Sequence, residues 1–291
     1  MKRSNVQAYT FLSPFLAFVL ILYLLPAVLT VVMAFTSLNS SFVWKFNGPD
    51  NFLRMMKDPN TGIIARNTVL YVSITILFTL ALDLALAILT TYFIRSERIS
   101  EIFKAILMIP MVTPAVVYSV LWIWLLDASP NGLVNKIYQR LWGGGALNWI
   151  ALQPFTVTVI ATLVSSIAYG TIVFSSAIKS IPENQFKAAR VDGAKELSII
   201  FNIIVPNLRY HITFIALWET LGLLTNYVTI LLITNGGPGI RSEVWALSAY
   251  HKAFVDRQYG YGSAISLVLI AVVTVLMLAI GAVTAAQNKE S

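Results

Sequence analysis

Glu219, Gly222, Leu223 and Asn226 recur at i, i+3, i+4 and i+7, the spacing of one helical face. A carboxylate and a carboxamide on such a face can accept from and donate to hydroxyl groups, while Gly222 leaves room for a ring between them. Thr162, Ser165, Ser166 and Tyr169 make a second face, of hydroxyls and a phenol. A plainer reading of the Ser and Thr residues is helix packing, since small residues let membrane helices approach closely. Asp83 and Glu219 resist that reading. Both lie in apolar stretches, where a carboxylate costs on the order of 3 kcal/mol on insertion scales. A typical interhelical hydrogen bond returns only about 0.6 kcal/mol. Such charges mark either a solute path or, for Asp83, a partner within the bundle or on another chain.

Covalent chemistry is poorly supplied. There is no cysteine, which excludes disulfides, thiolate nucleophiles and Cys-based zinc sites. His211 and His251 are far apart and lack neighbours at ligand spacing, so no metal site is expected. A catalytic constellation is hard to build from these residues, and the expectation is a protein that is not an enzyme, with no catalytic residues. A G-x-x-x-x-G-K-[ST] phosphate loop is absent, so any ATP hydrolysis would belong to a partner.

These residues sit in a chain whose solvent is lipid. Of 291 residues, 57% are hydrophobic and 11% charged, against the roughly 25% charged of a soluble domain. The mean hydropathy of +0.76 agrees. Spans of about 20 apolar residues are expected at 11–36, 67–94, 102–126, 154–178, 212–235 and 260–286. The first apolar run is too long for a signal-peptide core and reads as a retained anchor. Pro110 and Pro114 interrupt the third span, either freeing carbonyls for a cavity or only kinking the helix. Six spans put both termini on one side. Segments 1–10, 95–104, 179–211 and 287–291 hold 11 Lys and Arg in 58 residues, against 9 in 81 for the opposite set. That bias makes the first set, and both termini, cytoplasmic. Trp122, Trp124, Trp142 and Trp149 fall near the other face, as an aromatic belt would. The net charge of +7 is therefore a matter of loop placement, and no nucleic-acid partner is expected. The fold class that follows is all-α: a polytopic membrane protein with one transmembrane domain over 1–291.

The longest cytoplasmic loop, 179–211, carries "NQFKAARVDGAKELSIIFNIIVP" at 184–206. Ser180 and Glu183 have the spacing of a capping box, with Pro182 in the first turn. Asp192 can cap a second helix, and Gly193 permits a sharp bend. Two short helices across a turn could fit a groove on another protein or merely connect spans four and five. This segment resembles the coupling motif of ABC-importer permeases, which reads Glu-Ala-Ala, two residues, Asp-Gly-Ala, then an apolar stretch closing on Pro. Ala188, Ala189, Asp192, Gly193, Ala194, Phe201, Ile204 and Pro206 match it. Lys187 stands where the family has Glu, reversing the charge at the expected ATPase contact, and Tyr210 stands where a second Pro is common.

A further segment, "LLITNGGPGIRSEVWALSAYHKAF", is similar to the Leu-Thr-x-Gly-Gly-Pro region of the carbohydrate-importer branch, the maltose and multiple-sugar type. Thr234, Gly236, Gly237, Pro238, Tyr250, Ala253 and Phe254 fit. The resemblance implies a permease subunit in the inner membrane, moving a sugar by alternating access. It implies a second permease subunit of a different chain, two ATP-binding subunits that hold ATP and Mg, and an extracytoplasmic solute-binding protein. It implies that the Glu219–Asn226 stretch and the Ser165, Ser166 and Tyr169 region line the sugar path, and that Lys187 to Ala194 and Phe201 couple to the ATPase. The alternative is a secondary transporter or channel without an ATPase. Such proteins often show internal repeats or rows of ionisable residues, and neither is seen. A membrane enzyme and a non-transporting scaffold are the remaining rivals.

Overall fold

The computed structural model describes residues 2–287, with side chains described over 10–278. Met1 and 288–291, where the two terminal orientations would be read, lie outside the described residues. Among the described residues there are helices and no strand; Thr36 and Phe46 make an isolated antiparallel bridge. Five helices are long and apolar enough to cross a membrane, or six when one bent pair counts as a single span. They are α1 (Thr10–Ala34), α3 (Pro59–Phe93), the pair α4 (Glu97–Val112) and α5 (Ala115–Leu125), α7 (Pro154–Lys179), α9 (Glu196–Thr225) and α12 (Tyr259–Gln287). Shorter helices connect them: α2 (Asp50–Lys57), α6 (Leu133–Trp142), α8 (Glu183–Val191), α10 (Val228–Ile233) and α11 (Trp245–Tyr250).

The chain divides into two compact units, 1–63 with 245–291, and 64–244. In the first, α1 packs along α12. Gly260 makes the close approach possible, because a Cβ there would meet the carbonyls of Thr36 and Met33. Its N–H donates to Leu38 O at 2.9 Å. Asn51 of α2, buried, donates to the carbonyls of Ala34 and Thr36 that α1 leaves open at its end. Met55, Ala249, Tyr261 and Ile265 form the local core, and the Arg54 guanidinium lies 4.2 Å from the Tyr261 ring centroid.

In the second unit, α3 is inverted relative to a soluble helix. Its apolar side chains Val69, Leu77 and Phe78 are exposed, while Tyr71, Thr75, Thr79 and Asp83 are buried. Lipid is as apolar as leucine, so the polar side of a spanning helix turns to the protein interior. Ala87, Ile88, Phe174, Ile178, Ile204, Leu208 and Ile215 close the core where α3, α7 and α9 meet. Tyr118 and Leu126 of the α5 segment pack with Val157, Ala161 and Ile233.

Three details depart from the sequence expectations. The third span, expected as one helix over 102–126, is bent by 97° between α4 and α5. Pro110 lies inside α4, so Pro114 makes the break: it removes a donor and holds Thr113 extended, at φ −71° and ψ 129°. The fifth span, expected at 212–235, begins at Glu196 and ends at Thr225. Asn202, Asn207, Arg209 and His211 lower the hydropathy of its first turns, although their backbone is helical throughout. The capping scheme of the charged loop also differs. Ser180 ends α7, its hydroxyl bonding back to Ala177 O at 2.7 Å, and α8 has no side-chain cap. Asp192 ends α8 instead of starting the next helix, whose N-cap is Lys195.

Candidate functional site

Glu219 and Gly222 lie on one side of α9. Glu219 is half-buried, and Gly222 is exposed, with open space where a Cβ would stand. Leu223, one turn on from Glu219 on the same face, is buried, 4% exposed. The fourth member of the expected face leaves the helix. Asn226 is the first residue past α9, at ψ 115°. Leaving the helix frees its carboxamide, which donates to the Tyr71 hydroxyl at 3.4 Å. Tyr71, fully enclosed in α3, also bonds to the Thr162 hydroxyl of α7 at 2.9 Å. One phenol therefore ties α3, α7 and the end of α9 together. Sequence reasoning missed Tyr71, whose partners stand 91 and 155 residues away.

On α7, Ser165 and Ser166 are half-buried, and the Ser165 hydroxyl bonds to its own helix at Thr162 O, 2.9 Å away. Tyr169 sits with its ring centroid 6.5 Å from that of Trp218, an exposed residue directly before Glu219. An aromatic pair next to a half-buried carboxylate offers flat apolar surface and a hydrogen-bond acceptor within one helical turn.

Asp83 has an intramolecular partner. Its Oδ1 accepts from the Thr171 backbone N–H at 3.0 Å and the Thr171 hydroxyl at 2.9 Å. Gly170 provides the space, since a Cβ there would run into the Asp83 carboxyl group. The other carboxyl oxygen, Oδ2, is buried and without a partner.

The charged loop forms the elbow. Gly193 turns it at φ +75°, the left-handed region, with nothing near its Cβ position. The Gly193 and Ala194 N–H groups donate to Arg190 O and Ala189 O, closing the end of α8. Lys187 pairs within α8 with Glu183 at 3.2 Å, Ala188 is exposed, and both charges are largely in water. Phe201 is 65% exposed, and Val191 and Leu197 join it as exposed apolar side chains on the same elbow. Neither of those two was singled out by sequence, because single apolar residues among charges carry no periodicity. The Tyr92 hydroxyl accepts from Arg190 Nη2 at 3.1 Å, and this bond holds the guanidinium above its ordinary pKa. Among the described residues no cluster of His, Asp or Glu has the form of a metal site.

Residues 83–289 match the family model described as binding-protein-dependent transport system inner membrane component. The chain belongs to that family. The match begins at Asp83 and takes in the α7 and α9 faces and the elbow. Among curated relatives, the probable ABC transporter permease protein YurN of Bacillus subtilis (strain 168) is 28% identical over 285 residues, 96% of each chain. The lactose transport system permease protein LacF of Rhizobium radiobacter is 26% identical over 281 residues, 94% of this chain and 92% of its own. Among solved structures, a chain of a bacterial alginate ABC transporter, in complex with an alginate pentasaccharide-bound periplasmic protein, superposes with a TM-score of 0.83. That likeness covers 96% of this chain and 93% of the other at 19% identity, and it concerns the fold. The family assigns the chain to the membrane component of a binding-protein-dependent importer, a multi-pass protein that does not itself carry the catalysis.

Proposed function

We propose that 1–291 works as one transmembrane domain, a sugar-importing permease subunit that pairs with a second, different permease chain. Two ATP-binding subunits, holding ATP and Mg, drive it from the cytoplasm, where both termini lie. An extracytoplasmic solute-binding protein delivers a mono- or oligosaccharide. The family match over 83–289 carries the reading, and the relative named for lactose transport supports the substrate class. Glu219, Gly222, Asn226, Tyr169, Ser165 and Ser166 line the path in this reading. Leu223 backs it from the interior, given its burial. The elbow residues Lys187, Ala188, Ala189, Asp192, Gly193, Ala194 and Phe201 receive the ATP-binding subunit. The exposed Val191 and Leu197 extend that surface. Alternating access requires two packings of the same helices, each opening the path to one side.

Deletion of the gene, followed by uptake of radiolabelled lactose and longer oligosaccharides, tests the substrate class. Loss of uptake for at least one saccharide, restored by the wild-type chain, is the expected result. Unchanged uptake across the saccharide panel, with uptake of an amino acid or other non-sugar solute lost instead, would remove the sugar assignment. Co-purification of ATP-binding subunits with the tagged chain tests the assembly separately.

A further inference from the structure

The elbow is continuous through the chain with α7 on one side and α9 on the other. No covalent route joins it closely to α3. Tyr92, in a π-helical turn at the end of α3 (Leu89–Phe93), spans that gap. Its hydroxyl donates to Glu196 Oε2 and accepts from Arg190 Nη2 at 3.1 Å. Its ring lies 5.5 Å from the Phe186 ring and 5.8 Å from the Arg190 guanidinium, centroid to group. Phe186 and Arg190 belong to α8, whereas Glu196 begins α9, so one side chain grips both arms of the bend. Tyr92 lies within that π turn, a local departure from the regular helical ladder. Both hydrogen bonds of the hydroxyl are to charged groups, the stronger class. The exposed Lys179–Glu97 pair at 3.4 Å joins α7 to α4 and does not reach α3.

We propose that Tyr92 is a positioning residue that latches the elbow to α3, so that displacement of the elbow by the ATP-binding subunit moves α3 together with α7 and α9. The proposal rests on the coupling role given to the elbow above. α3 carries Tyr71, hydrogen-bonded to α7 and to the residue after α9, and Asp83, hydrogen-bonded to α7. Without the latch, elbow motion reaches α7 and α9 directly and α3 only through those buried ties and the apolar packing of Ala87 and Ile88, none of which fixes the elbow by a hydrogen bond.

The chain has no cysteine, so nitroxide labels at Arg95→Cys and Asn184→Cys report the distance between the end of α3 and the elbow. The complete importer is labelled, and MgATP is the only ligand added. With Tyr92 present, a single narrow distance distribution that MgATP leaves in place is expected, because the two elements move as one. In Tyr92→Phe, which keeps the ring and loses both hydrogen bonds, the distribution broadens without nucleotide and shifts on MgATP while hydrolysis continues. Glu196→Ala is the second variant and loses the acceptor with the phenol intact; the same change is expected. An unchanged distribution in these variants, with and without MgATP, overturns the latch. Should the wild-type chain retain no ATP-binding subunits, the coupling role of the elbow fails. The nucleotide-free comparison on the chain alone then still decides the latch, broadening supporting it and identity overturning it.

Discussion

Asp83 offsets part of its insertion cost with two hydrogen bonds from Thr171, in a cradle with no side chain at Gly170. A methyl group at 170 has nowhere to go except into the carboxyl group. Gly170→Ala is therefore expected to destabilise by about 1–3 kcal/mol, the usual cost of overfilling a packed site. Asp83→Ala removes the obstacle, so the double variant should melt above the sum of the two single effects. Thermal unfolding of the four proteins in detergent measures it, and strict additivity would separate the two residues. Asn226 makes a different kind of test. Its 3.4 Å bond to Tyr71 is long, which leaves the carboxamide able to turn toward a solute. Asn226→Leu is expected to impair uptake while assembly with the partner subunits survives. Unchanged transport kinetics would remove Asn226 from the path. At this scale the sequence exposed Glu219 and Asp83 through the cost of charge in lipid. It concealed Tyr71 and Thr171, because a phenol or hydroxyl in an apolar run costs too little to stand out.

Elements were legible where hydropathy is uniform, as in α1, α7 and α12, and blurred where polar residues are compatible with helix. The first turns of α9 contain Asn202, Asn207, Arg209 and His211, so the apolar window starts late although the helix starts at Glu196. Ser180 and Glu183 have capping spacing, but spacing cannot say whether the hydroxyl serves the helix ahead or the one behind. In the 127–153 loop the sequence singled out only Trp142 and Trp149, and the residue with the most hydrogen bonds there is Asn135. Asn135, fully buried, shares its two Nδ2 hydrogens among Asp127 O, Ser129 O and Leu147 O, and accepts from Leu147 N–H and the Trp149 indole. Beside it, the Ser129 hydroxyl and N–H hold the Asp127 carboxyl group below the usual carboxylate range. Asn135→Leu fills the space but abandons every one of those partners. Each buried group left unpaired costs about 1–3 kcal/mol, so the loop is expected to loosen by at least about 2 kcal/mol. Limited proteolysis should then cut within 127–153 in the variant and not in the wild type. Equal protease resistance would show that the surrounding backbone suffices.

At the scale of the whole molecule, the proposed assembly asks the elbow to satisfy its own backbone and a partner at once, and Gly193 is where the two demands can be separated. Its φ of +75° strains most L-residues, at roughly 1–2 kcal/mol, whereas Asp and Asn enter that region more readily. The space around its Cβ position is open, so the Cβ that either Ala or Asp adds meets no clash within the chain. Gly193→Ala therefore imposes backbone strain without charge, and Gly193→Asp imposes charge with less strain. If the elbow only connects α7 to α9, the alanine variant is the more damaging of the two. If it docks an ATP-binding subunit, aspartate is the more damaging, because a second carboxylate beside Asp192 enters the contact and must be desolvated there. The expected outcome is that both variants insert at wild-type levels. Gly193→Ala keeps most uptake and retains its ATP-binding subunits through purification. Gly193→Asp loses both. Retention of the subunits by the aspartate variant, with uptake failing only in the alanine variant, would reduce the elbow to a connector and withdraw the surface that Val191, Leu197 and Phe201 were given.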